Sequence, residues 1–89
     1  MSNEKLLKDA FDKWGYSSQM LIWVEEMAEL IQKLVKLGRI INSSYVIEIE
    51  EELADVIICV EQMKIWYPNY HHHYNRKIAR LRRLVYRTN

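Results

Sequence analysis

Two acidic clusters are the residues of this sequence whose type and spacing could do chemistry. One reads EEMAE at residues 25–29, and the other reads ELAD at residues 52–55. Carboxylates three or four residues apart share one face of a helix, so each cluster can direct two oxygen ligands at one point. Two such helices side by side would enclose four carboxylates in a small volume, which is unfavourable unless a cation neutralises them. The spacing therefore indicates a cation site between two helices.

Carboxylate oxygen is the only ligand type that these clusters offer, because no His or Cys completes either pattern. Hard oxygen ligands favour Mg²⁺ or Mn²⁺ over zinc or copper. The di-iron sites of helical bundles use Glu-x-x-His pairs, so redox iron is disfavoured. A Mg²⁺ ion held by a few carboxylates usually also binds substrate phosphates. The expected cofactor is Mg²⁺, with Mn²⁺ as the alternative, and phosphate chemistry is the leading hypothesis.

A solvated helix face is the alternative interpretation of these acids. Such faces usually alternate their charges through Glu-to-Lys pairs four residues apart. Glu25 and Glu29 instead carry like charges at that spacing, and no base follows Glu48 until Lys64. The acids interpreted as solvated charges are Glu50, Glu51 and Glu61. Repulsion concentrated in the remaining acids favours a site.

The elements that must position these acids are four predicted helices. The sparse Gly and Pro residues divide the chain at Gly15, Gly38 and Pro68, giving helices over residues 3–14, from 17–18 to 38, from 42–44 to 67, and from 70–72 onwards. Apolar residues recur at helical spacing within the last three segments. These rows are Met20, Val24, Met27, Ile31 and Leu34; Tyr45, Ile49, Val56, Val60, Met63 and Tyr67; and Tyr74, Ile78, Leu81 and Val85. A short strand at residues 40–41 and 45–47 is the alternative, but the long helical period predicts an all-α, four-helix bundle-like fold.

The composition predicts one small domain spanning residues 1–89 that associates with itself. A chain of 89 residues buries only about two thirds of its unfolded surface. Yet 49% of its residues are apolar or aromatic, so we expect a homo-oligomer, a dimer or tetramer. The single Cys59 and the lack of an apolar leader or spanning segment predict a cytoplasmic protein, in the host cytoplasm if phage-encoded, with no membrane partner.

Around both clusters the sequence resembles the MazG-like nucleotide pyrophosphohydrolases, part of the all-α NTP pyrophosphatase superfamily that also holds the dimeric dUTPases. The signature of this family is E-E-x-x-E on one helix and E-x-x-D on the next, and this chain has EEMAE and EELAD. The flanking stretches KWGYSSQ, AELIQKLVK and ELADVIICVEQMKI are similar to small phage and bacterial members. The resemblance covers residues 11 to 84 approximately.

The resemblance implies Mg²⁺-dependent hydrolysis of a nucleoside triphosphate between its α and β phosphates, yielding a monophosphate and pyrophosphate. The metal ligands that it implies by position are Glu26, Glu29, Glu52 and Asp55. Glu25 would either support these ligands or act as the base that orients the attacking water. A catalytically silent helical module for oligomerisation or protein interaction is the alternative function.

Basic residues gather at the end of the chain, where no acid follows Glu61. One stripe of the fourth predicted helix carries Arg76, Arg80, Arg83 and Arg87, which could contact phosphate within the subunit or across a dimer, or form a solvated face. Lys77 and Arg80 correspond loosely to basic positions of related chains and are the candidate substrate-binding residues. The net charge of +1 makes nucleic acid an unlikely partner.

Three further groups of residues have mainly structural interpretations. His71, His72 and His73 are expected in an exposed turn, because three successive residues cannot face one ion from a helix. Trp14, Trp23 and Trp66 are expected in the core or an interface, with stacking on a base as the alternative. Cys59, one turn from Asp55, is expected to form an apolar wall of the cleft.

Overall fold

The computed structural model describes residues 3–39 and 44–87, and every element in these ranges is helical. The elements are α1 (Asn3–Trp14), α2 (Tyr16–Arg39), α3 (Ser44–Trp66) and α4 (Tyr70–Val85). The all-α prediction is confirmed for this part of the chain. Residues 45–47 of the alternative strand belong to α3, and residues 40–41 lie outside the described residues. None of the described helices is both long enough and apolar enough to cross a membrane.

Gly15 is the joint between α1 and α2. Its φ of +85° lies in the left-handed region that glycine adopts without strain. Its N–H donates to the carbonyl of Phe11 at 2.8 Å, and its own carbonyl accepts from the N–H of Gln19 at 3.2 Å. One residue therefore ends α1 and starts α2, so α2 begins slightly earlier than predicted. Helix α2 continues one residue beyond Gly38, the predicted stop, and ends at Arg39.

The turn between α3 and α4 is built around Pro68. The N–H of Tyr67 donates to the carbonyl of Met63 at 2.8 Å, which closes the last turn of α3 before the proline interrupts the ladder. Nδ1 of His71 lies 2.8 Å from the Pro68 carbonyl oxygen. The three histidines are exposed, as expected, but they lie in the first turn of α4 rather than in a turn between helices.

Helices α2 and α3 form an antiparallel hairpin whose register follows from three pairs of side chains. Nε1 of Trp23 donates to Oε1 of Gln62 at 2.6 Å, and Nε2 of Gln62 donates to Oε1 of Gln19 at 2.9 Å. Towards the far end of the hairpin, Nζ of Lys33 lies 3.5 Å from Oε2 of Glu48. Each step towards the C-terminus of α2 is thus matched by a step towards the N-terminus of α3.

The core is small and lies where α1 crosses this hairpin. Phe11, Trp23 and Cys59 are buried together, and Met27 and Met63 pack against them half-buried. Phe11 meets Trp23 edge-on, with ring centroids 5.8 Å apart. The buried apolar side chains of the described residues are these three and Leu7. Such a core holds the hairpin in register but covers only one part of it.

The apolar row of α2 faces outward. Between 39% and 61% of the side-chain surface remains exposed at Met20, Val24, Ile31 and Leu34, and only Met27 of the predicted row reaches the core. The positions turned towards α3 are instead Gln19, Trp23, Glu26 and Lys33. Helix α4 has no buried residue at all. The apolar rows of α2 and α4 thus lie mainly outside the core of a single chain.

Candidate metal centre

Three carboxylates meet between α2 and α3, one step along the hairpin from the core. Glu26 of α2 and the pair Glu52 and Asp55 of α3 each offer a carboxylate oxygen, and these oxygens lie within 4.8 Å of one another. The antiparallel register explains the meeting, because Glu26 lies one turn beyond Trp23 and Asp55 lies one turn before Cys59. Acids of the EEMAE and ELAD motifs, which lie on different helices, therefore converge on a single point.

Glu29 adds a fourth carboxylate to this group. Its charge raises the pKa of Glu26 and of Glu52, after the larger effect of burial in each case. The structure thus brings three of the four predicted metal ligands, Glu26, Glu52 and Asp55, within 4.8 Å of one another, and Glu29 lies beside them near enough to act on Glu52. We call Glu26, Glu29, Glu52 and Asp55 the acidic cluster.

The electrostatics of the acidic cluster favour a proton when no cation is bound. Burial, followed by the charges of Glu29, Asp55 and Glu52, raises the pKa of Glu26 from 4.5 to about 7. Burial, the charge of Glu29 and a hydrogen bond to it also raise the pKa of Glu52, although the hydrogen bond between Glu52 and Glu26 opposes that rise. At pH 7 the Glu26 carboxyl is therefore about half protonated, so the cluster carries less than its full negative charge.

Two oxygen atoms of the acidic cluster have no hydrogen-bond partner among the described residues. They are Oε2 of Glu26 and Oε2 of Glu52, and both atoms are buried although their residues are only half-buried. A buried polar atom without a partner is costly, and most such atoms in proteins are paired with protein, water or an ion. The two oxygens are thus available to coordinate a cation without breaking an existing bond.

Cys59 lies beside the cluster on the side of the core. It is 5% exposed, and burial is the main reason why the pKa of its thiol is raised, with the charges of Glu26 and Asp55 adding to the effect. A raised thiol pKa keeps the sulfur protonated and makes it a poor metal ligand. Cys59 therefore belongs to the apolar core beside the cluster, and the ligand atoms grouped among the described residues are all carboxylate oxygens.

The other predicted site residues lie apart from this point. Glu25 is exposed next to Glu26 and is not among the charges that shift the pKa values of the cluster. Lys77 and Arg80 are exposed on α4, and within residues 3–39 and 44–87 neither forms an ion pair. Glu48, near the cluster in sequence, is instead paired with Lys33 of α2.

Gln62 is a structural residue that sequence reasoning missed. Gln62 is 5% exposed, and its amide links three helices. It accepts from Trp23 Nε1, donates to Gln19 Oε1, and also donates to the Leu7 carbonyl oxygen of α1 at 3.3 Å. The sequence signal for this role is a polar residue one turn beyond Cys59, in register with Gln19 and Trp23. This network fixes the hairpin beside the cluster.

Trp23 belongs to the core, since it is 3% exposed, whereas Trp14 and Trp66 keep 57% and 42% of their surface exposed. The ring of Trp66 still contacts Phe11, with centroids 4.2 Å apart.

Comparison of the chain with protein-family models, with curated proteins and with solved structures finds no match. Interpretation of the acidic cluster therefore depends on its own geometry and on the two sequence motifs.

Proposed function

We propose that this chain is a Mg²⁺-dependent nucleoside triphosphate pyrophosphohydrolase with a MazG-type fold, which converts a (d)NTP to a (d)NMP and pyrophosphate. The observation that carries the proposal is the convergence of Glu26, Glu52 and Asp55 between two helices, with Glu29 beside them and two buried oxygens unpaired among the described residues. A divalent cation would neutralise the repulsion between these carboxylates and would coordinate the two unpaired oxygens. Mn²⁺ offers the same oxygen coordination and is the second candidate.

The residues of the cluster would have distinct roles in such a reaction. Glu26, Glu52 and Asp55 would hold the metal, with Glu29 completing the set. A bound Mg²⁺ supplies neutralisation of the triphosphate charge and leaves coordination positions for phosphate oxygens. Glu25 is the acid of the EEMAE motif outside the cluster, so its carboxylate is free to accept a proton.

The proposed step is a direct displacement by water. The water oxygen bonds to the α-phosphorus, its proton passes to Glu25, and the bond from the α-phosphorus to the oxygen bridging to the β-phosphorus breaks. That bridging oxygen leaves with pyrophosphate, so no covalent nucleophile is needed. Lys77 and Arg80 are the proposed phosphate-binding residues, acting from α4 of the same chain or of a second copy.

The second candidate function is a catalytically silent module for assembly. The observation that favours it is the large exposed apolar surface of α2, α3 and α4. Under this hypothesis the acidic cluster would bind a cation for stability alone. The two candidates differ in one measurable property, which is turnover.

Pyrophosphate release from each NTP and dNTP in the presence of Mg²⁺ tests the proposal. We expect Glu52→Gln to reduce the rate at least about 100-fold, because it removes one charged ligand that positions the metal. Glu51→Gln is the matched control, since Glu51 is the exposed neighbour outside the cluster, and it should retain the parent rate. If no nucleotide yields pyrophosphate faster with the parent protein than with Glu52→Gln, the enzymatic proposal is wrong and the silent module stands.

A further inference from the structure

A groove lies between α3 and α4, next to the turn at Pro68. Its smaller part has a volume of about 280 Å³ and is lined by Val60, Met63, Lys64, Tyr67 and Tyr70. Its larger part has a volume of about 620 Å³ and is lined by Val60, Lys64, Tyr70, His71, Tyr74 and Asn75. Because the two parts share three lining residues, they form one continuous cavity, which we call the α3–α4 groove.

The walls of the α3–α4 groove are mainly apolar. They consist of three tyrosines, a valine and a methionine around a single lysine, with one histidine and one asparagine at the larger part. Cavities of roughly 300–1,000 Å³ with mostly apolar walls and a few polar groups are typical of sites for small molecules. Tyrosine rings pack well against the face or edge of another ring, so these walls favour an aromatic ligand.

Several side chains of the groove are held in place by contacts within the chain. The hydroxyl of Tyr67 is hydrogen-bonded to the hydroxyl of Tyr16 on α2. Nζ of Lys64 lies over the ring of Tyr70, 5.3 Å from its centroid. The carbonyl of Pro68 can only accept, so Nδ1 of His71 donates to it at 2.8 Å. A groove whose walls are already ordered loses less side-chain entropy when a ligand binds.

The charge of the α3–α4 groove favours an anion. Lys64 is absent from the ion pairs of residues 3–39 and 44–87, and no carboxylate lines either part of the groove. The chain beyond Glu61 also contains no acid. An ammonium group beside apolar walls therefore has its charge available for a ligand, and the Asn75 amide can donate to the same group.

We propose that the α3–α4 groove binds a small aromatic anion, a ring that carries a carboxylate or a phosphate ester. The ring packs against Met63, Tyr67 and Tyr70, and the anionic group pairs with Lys64. This lysine lies nine residues after Asp55 on α3, which is about 14 Å along the helix axis. The site is therefore separate from the acidic cluster, and the inference does not rest on the proposed enzymatic activity.

Amide NMR titrations of the isotope-labelled protein in EDTA test this site without metal or nucleotide. The probes are 2-naphthoate, 2-naphthyl phosphate and the neutral 2-naphthamide. We expect ligand-induced shifts at residues 60–75, and at least one anion should bind at least about tenfold more tightly than the neutral amide. The anion that binds more tightly identifies whether the site prefers a carboxylate or a phosphate ester.

Two pairs of variants separate the charge of the site from its apolar walls. Lys64→Met should remove most of the preference for anions, whereas Lys13→Met is the matched control, because Lys13 also lies over a ring, that of Trp14, but outside the groove. Tyr74→Ala should weaken binding of all three probes about threefold, because it removes one ring from the wall. Its control is Tyr86→Ala, which changes an exposed tyrosine outside the groove.

Salt dependence covers the case in which Lys64→Met does not fold. Raising NaCl from about 20 mM to about 500 mM should weaken binding of the anions to the wild-type chain and leave the neutral amide unaffected. Equal affinity for anions and amide, a preference that survives in Lys64→Met, salt-independent binding, or shifts outside residues 60–75 would each overturn the proposal. Affinity that falls as the protein concentration rises would also overturn it, because a second copy of the chain would then cover the groove.

Discussion

The affinity of the acidic cluster for Mg²⁺ should depend steeply on pH between 6 and 8. Burial and three neighbouring carboxylates raise the pKa of Glu26 to about 7. This carboxyl is therefore roughly 10% ionised at pH 6 and roughly 90% ionised at pH 8. Because Glu26 must lose its proton before it can coordinate a metal, the apparent dissociation constant should weaken about tenfold from pH 8 to pH 6. The raised pKa of Glu52 acts in the same direction.

Calorimetric titration of Mg²⁺ into the protein at several pH values measures this effect directly. At pH 7, repeating the titration in buffers with different ionisation enthalpies should reveal release of about half a proton from Glu26 per bound ion. Glu26→Gln should bind Mg²⁺ more weakly and lose most of the pH dependence. Asp55→Asn is the complementary variant, because it weakens binding while Glu26 still titrates. A dissociation constant that changes less than about twofold across this range would refute the linkage.

The raised pKa of Glu26 also makes the stability of the metal-free protein depend on pH. The folded state keeps the Glu26 proton up to about pH 7, whereas the unfolded chain releases it near 4.5. The folded state thus binds more protons between these values, so the free energy of unfolding falls as pH rises through this window and levels off above it. In EDTA at pH 8, Glu26→Gln should consequently melt at a higher temperature than the parent protein. A lower melting temperature for that variant would contradict the assigned repulsion.

Two further predictions concern the scaffold around the site. Gln62→Leu removes the amide that pairs with Trp23 and with the Leu7 carbonyl. It should therefore lower the free energy of unfolding measured in urea by about 1–3 kcal/mol. An unchanged unfolding midpoint would show that the network is dispensable. Gly15→Ala places an alanine at a φ of +85°, where the added Cβ would have no heavy atom within 4 Å. Because no clash is expected, backbone strain alone should lower the free energy of unfolding by about 1 kcal/mol. A gain in stability would exclude that strain.

The predicted apolar row of α2 faces outward because other side chains of α2 pair with α3. The row from Met20 to Leu34 is the most regular apolar pattern of α2, and sequence periodicity alone would place it in the core. The structure instead turns Trp23 and Gln19 towards α3, where the Gln62 amide accepts from Nε1 of Trp23 and donates to Oε1 of Gln19. Hydrophobic periodicity identifies a face that avoids water, but it does not say whether the same chain or another molecule covers that face.

The sequence by itself determined the helical segments and the candidate ligands. Gly15 and Pro68 interrupt helical backbone through their own conformational limits, which are local and therefore readable from sequence. The three-residue spacing within EEMAE and ELAD likewise places the acids on shared helix faces whatever the partner helix.

Only the tertiary structure decided which acids meet and which do not. The register of α2 against α3 brings Glu26 close to Glu52 and Asp55. The same register pairs Glu48 with Lys33 and leaves Glu25 exposed. That register depends on contacts between residues about 40 positions apart, above all the pairing of Trp23 with Gln62. Spacing within a helix is a local property of the chain, whereas the pKa of Glu26 and the unpaired oxygens arise from packing between helices.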